Sequence, residues 1–117
     1  VFDSWAIVAA ARFGHTALVE YLLRHGGGDV NAALIAAAAH NRIDSARVLI
    51  PVAPDALDEA LADAALRGYS DVAALLFDAG GNPERPVYGG QTAIGLARKN
   101  GHEDIVELLC RKSENNC

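Results

Sequence analysis

Leu18, Val19, Leu22 and Leu23 fall at i, i+1, i+4 and i+5, and Ile105, Val106, Leu109 and Cys110 repeat that spacing near the other end of the chain. This is the period of a helix with one apolar face, and each stripe predicts an amphipathic helix. Ahead of every such stripe lies an alanine-rich segment: WAIVAAARF, AALIAAAAH, EALADAALR and TAIGLARKN. Alanine is the best helix former and has the smallest side chain. These segments therefore predict second helices that can lie close to neighbours on both sides.

The stripes belong to a repeated phrase. GHTALVEYLL starts at Gly14, NRIDSARVLI at Asn41, GYSDVAALLF at Gly68 and GHEDIVELLC at Gly101. Four copies at nearly regular spacing indicate a solenoid, in which each unit buries its apolar face only against its neighbours. The predicted unit is inner helix, tight turn, outer helix, with Gly26 and Gly80 placed to end outer helices in a left-handed cap.

TAIGLARKNGHEDIVELL, from Thr92 to Leu109, resembles the ankyrin-repeat pattern TPLHLAxxGHxxIVxxLL, and WAIVAAARFGHTALVEYLLRHGG resembles it from the second helical turn onward. The resemblance implies an all-α fold, an ankyrin-type α-solenoid of four helix-turn-helix repeats near 4–27, 31–53, 58–81 and 91–113. These form one domain over 1–117, read as a monomeric excerpt of a longer chain because the sequence contains no methionine to start it. Such units repeat at about 33 residues, and only the step from Gly68 to Gly101 keeps that length. There GGNPERPVYGGQT is expected to form a β-hairpin-like finger between repeats 3 and 4. The earlier junctions, GGGDVNAAL and VAPDALDEAL, are shorter and predict tight loops without a finger. Every copy loses the Pro and the His of TPLH, whose places in the last copy are taken by Ala93 and Gly95.

Composition narrows the function. The 117 residues are 51% hydrophobic, ample for one core, and carry a net charge of −5 with no Lys/Arg run longer than two. That balance argues against nucleic acid as the primary partner, because such binding rests on neutralising phosphates. No apolar stretch approaches the roughly 20 residues needed to span a bilayer, so no membrane partner is implied. The two cysteines, Cys110 and Cys117, have no paired-motif spacing. They mildly favour a reducing compartment, read as cytoplasmic with the nucleus as the alternative.

Several residues invite a chemical reading. His15 and His102 look like a pair of imidazoles, but they sit at opposite ends of a stack and metal ligands must converge on one ion. The resemblance makes them structural turn residues with Gly14, Gly68 and Gly101. Cys110 occupies a leucine position and reads as a small hydrophobe. GGGDVN lacks the spacing of a phosphate loop, although its Asp29-Val30-Asn31 is similar to a segment hydroxylated on Asn in some ankyrin proteins. Asp63, on an alanine-rich helix, reads as a partly exposed carboxylate. There is no Ser-His-Asp or Cys-His set, so no catalysis and no cofactor are expected.

What remains is a surface. In ankyrin proteins the partner lies on the concave side, against the fingers and the two residues before each turn. Here those slots hold Arg12-Phe13, Ala39-His40, Leu66-Arg67 and Lys99-Asn100, and the finger adds Arg85, Val87 and Tyr88. Each slot carries one cationic or titratable group. Asp44, Asp71 and Asp104 fall instead in the first turns of outer helices, where acids suit the dipole. The reading is a non-catalytic protein-interaction module for an acidic or phosphorylated segment. The alternatives are a regulatory, targeting or inhibitory domain of an enzyme, and a structural spacer. Phe2 and Trp5 are expected to pack on a preceding repeat or a partner chain.

Overall fold

The computed structural model describes residues 4–111. Eight α-helices alternate along it: α1 (Ser4–Arg12), α2 (Thr16–Arg24), α3 (Val30–Ala39), α4 (Ile43–Leu49), α5 (Leu57–Arg67), α6 (Ser70–Asp78), α7 (Ala93–Lys99) and α8 (Glu103–Arg111). The odd-numbered helices pack in one row, α1 on α3, α3 on α5 and α5 on α7. The even-numbered ones form a second row, and each pairs with the helix before it. The result is a two-layer stack with principal extents of 47 × 22 × 19 Å.

Alanine explains the tight inner row. Ala33, Ala37, Ala38, Ala60, Ala64, Ala65, Ala93 and Ala97 are all buried, so the helix faces that meet are nearly bare backbone. Helix α3 touches α1, α4 and α5, and is correspondingly apolar almost all round, as a helix enclosed on several sides must be. Larger side chains fill the space between the layers: Leu34 and Leu61 from inner helices meet Val19, Leu49, Leu76, Ile105 and Leu109 from outer ones. Leu22, Leu49, Leu76 and Leu109 hold equivalent positions in the four units, and each is buried.

Every inner helix ends in the same way. Gly14, Asn41, Gly68 and Gly101 take φ of 75°, 58°, 80° and 75°. The next residue's N–H then turns back to a carbonyl five residues earlier, at 2.8–3.0 Å in His15 to Ala10, Arg42 to Ala37, Tyr69 to Ala64 and His102 to Ala97. This is the Schellman motif, and it satisfies carbonyls that a helix end leaves bare. Asn41 serves where glycine stands elsewhere because Asn is one of the few side chains that tolerate the left-handed region.

The first two junctions are tight. Asp29 caps α3 by accepting from Ala32 N at 3.0 Å, and two single 3-10 turns, Ile50–Val52 and Pro54–Ala56, join α4 to α5. The 81–91 segment corrects the expectation of a β-hairpin-like finger, since no strand occurs among the described residues. Pro83 and Pro86 have no N–H to give to a ladder, and Gly89 and Gly90 turn the backbone to φ of 60° and 81°. One crossing bond survives, Val87 N to Gln91 O at 2.8 Å, beside a 3-10 turn at Tyr88–Gly90.

Asp58 on α5 anchors that loop. Its carboxylate accepts from Asn82 N at 2.7 Å and from Arg85 Nη1 at 2.8 Å. The contact raises the pKa of Arg85 through the hydrogen bond first and the carboxylate's charge second. The loop therefore acquires a defined place without strand pairing.

Candidate partner-binding face

The C-terminal ends of α1, α3, α5 and α7 lie side by side because the inner helices stack in register. This edge therefore carries the negative ends of four helix dipoles, which favours cations there. The sequence supplies them in Arg12, Arg67, Arg98 and Lys99. Among the sequence-predicted residues, Arg12, Phe13, His40, Arg67, Lys99 and Asn100 are exposed on this edge, whereas Leu66 is half-buried against the core.

Arg12, His40 and Arg67 stand at the ends of three stacked helices, α1, α3 and α5, and both guanidiniums act on the His40 imidazole between them. Partial loss of hydration holds the His40 imidazole below its ordinary value of 6.5, and the Arg12, Arg67 and Arg42 guanidiniums lower it further. At the end of α1 the Arg12 guanidinium stands over the Phe13 ring, 5.6 Å from its centroid, and Phe13 remains 58% exposed. At the other end Asn100 folds its amide onto the Leu96 carbonyl at 2.8 Å, capping α7. Of the loop residues, Arg85 is committed to Asp58, Val87 is half-buried on the core, and the Tyr88 side chain lies outside the described residues.

The residue after each turn has a role of its own. Arg42 Nε donates to the Arg12 carbonyl at 3.0 Å, and His102 Nε2 donates to the Leu66 carbonyl at 3.1 Å. Arg12 and Leu66 both stand two residues before their turn, so the two bonds are one device, used twice, that staples a unit to the preceding inner helix. The staple runs against the turn glycine of that unit: a Cβ on Gly14 would lie 3.0 Å from Arg42 Cδ, and one on Gly68 would lie 2.7 Å from the His102 ring. His15 is exposed, with its ring tilted against Phe13 at 6.5 Å between centroids.

Outer helices are joined by hydroxyls. Thr16 Oγ1 and the buried Ser45 Oγ share a hydrogen bond of 3.1 Å between α2 and α4, and Ser70 Oγ donates to Asp104 Oδ2 between α6 and α8. The Ser70 bond holds the Asp104 carboxyl below the usual range. Asp104 thus links two units besides favouring its own helix dipole, whereas Asp44 meets Arg47 at 3.3 Å on the same helix. Sequence periodicity misses such links because their partners lie 29 and 34 residues apart.

Other candidates find plain places. Cys110 is half-buried and packs against the core from the apolar stripe of α8. Asp63 is half-buried, Trp5 is 64% exposed, and Phe2 lies outside the described residues. No group of three metal-ligating side chains occurs among the described residues, and none of their helices is long and apolar enough to cross a membrane.

Comparison with known families gives a match to ankyrin repeats (3 copies) over residues 34–117 and to a single ankyrin repeat over 5–33. The chain belongs to the ankyrin-repeat family. No curated protein matches it closely enough to count as a relative. Ankyrin repeats generally mediate contacts between proteins and are typically non-catalytic. As an ankyrin domain the chain keeps the left-handed turn in all four units, while the residue that follows it changes from His to Arg42 and Tyr69 in the middle two.

Proposed function

We propose that this ankyrin domain binds an acidic or phosphorylated segment of another protein along the row of inner-helix ends, without catalysis of its own. The observation that carries the reading is the convergence of Arg12, His40 and Arg67 from α1, α3 and α5, in a chain whose net charge is −5. A cationic strip on an acidic molecule selects for an anionic partner and steers it to one face. Lys99 extends the strip onto α7, while the 81–91 loop, anchored on Asp58 at the start of α5, stands at the opposite end of that helix from Arg67.

The test is charge reversal. Arg12, Arg67 and Lys99 replaced together by Glu should weaken binding of a fluorescein-labelled decaglutamate peptide by at least tenfold at low salt, read by anisotropy. All three are exposed, so the fold should survive, with circular dichroism as the check. Equal affinity of the triple variant and the parent would overturn the proposal.

A further inference from the structure

The row is uneven, and its unevenness, combined with the acidic-segment reading on which the inference rests, defines a more specific partner. Along the stack, the residue just before each turn is Phe13, His40, Arg67 and Asn100. One end is aromatic, the middle is cationic or titratable, and the far end is a neutral amide occupied in capping its own helix. Phe13 is 58% exposed.

Packed helices set the rungs about 10 Å apart. A chain in the extended polyproline II conformation rises about 3.1 Å per residue with three residues per turn, so every third side chain faces the same way. Every third residue of an extended segment laid across the helix ends therefore meets a new rung. Charge complementarity then assigns the rungs: acids opposite His40 and Arg67, and an apolar side chain opposite Phe13, where Arg12 already covers part of the ring.

We propose that the partner segment is extended, carries an aromatic or aliphatic residue at one end, and places acidic residues three and six positions along from it. The apolar residue seats on Phe13 and the acids on His40 and Arg67. One of the two chain directions is preferred, because the row itself has distinct ends.

Labelled peptides built on glycine test it by anisotropy. One has Phe first and Glu at the third and sixth positions after it, one has the reversed order, one carries Phe between the two Glu, and one has Gly in place of Phe. Against the parent domain, one of the two Phe-ended peptides should bind about fivefold tighter than the Phe-less peptide. In Phe13→Ser that advantage should vanish while the Phe-less peptide binds as before. Arg67→Glu should weaken every peptide. A Phe-ended advantage that survives in Phe13→Ser, or its absence in both directions, overturns the register while leaving the acidic-segment reading in place. Failure of Arg67→Glu to weaken any peptide overturns both.

Discussion

Gly68 is squeezed twice, by its own backbone and by its neighbour. Its φ of 80° penalises any Cβ, and a Cβ there would stand 2.7 Å from the His102 ring. Gly101 has a similar φ of 75° but open space around it. Gly68→Ala should therefore cost about 2–3 kcal/mol and Gly101→Ala about 1–2 kcal/mol, by denaturant titration. In the background of His102→Ala the two costs should become equal. Asn41→Gly should be tolerated, since glycine reaches the same φ freely. His40 supplies a pH signature at the same scale. Its pKa is lowered in the free domain by desolvation and by three guanidiniums, so the ring is neutral near pH 7. Bound carboxylates favour its protonated form, so affinity for an acidic peptide should rise as pH falls from 7.5 to about 6, and His40→Asn should flatten that rise. For stability the sign is opposite: the unfolded chain holds the proton more readily, so His40 subtracts stability as pH drops below 6.5.

At the scale of elements, the inner helices are held by the smallness of their contacts. Ala64 is fully buried on α5, and Ala64→Leu should cost about 1–3 kcal/mol by forcing neighbouring helices apart. Leu34→Ala, which opens a cavity between the layers, should cost about 2–5 kcal/mol. The outer helices depend on a titratable link. Asp104 has a lowered pKa because Ser70 donates to it, so its contribution is present above the unfolded carboxylate range near 3.8 and is lost as pH falls through the lower folded value. Asp104→Asn should be less stable at pH 7 and lose less on acidification to pH 2, measured by unfolding midpoints. The 81–91 loop shows how one carboxylate, Asp58, can position a segment whose prolines and left-handed glycines cannot pair as strands.

At the scale of the molecule, stability is distributed by nearest neighbours, because each helix pair packs mainly on the units beside it. The first and later described units differ in this respect. Leu18 is 45% exposed, although Val72 and Ile105 at the equivalent positions of later units are fully buried. Leu18→Ala should accordingly cost well under 1 kcal/mol and Val72→Ala about 1–2 kcal/mol. The charge distribution follows the same geometry. Aligned helix ends gather cations on one edge of a molecule that is acidic overall, so peptide binding there should weaken steeply between 50 and 200 mM salt.

Helical periodicity, the four copies of one phrase and the alanine-rich inner helices were legible in the sequence, because these are local regularities that repeat at fixed offsets. The ankyrin resemblance and the tight turn followed from residue identity at Gly14, Gly68 and Gly101, and their left-handed φ came from the backbone. The failed β-finger had its warning in Pro83 and Pro86, but only the backbone path and its Asp58 anchor showed what replaced the strands. The staples from Arg42 and His102, the Ser70–Asp104 link and the gathering of Arg12, His40 and Arg67 join residues roughly 30 positions apart. Stacking converts that distance along the chain into contact across it, and so the tertiary structure decided which charged groups share a face.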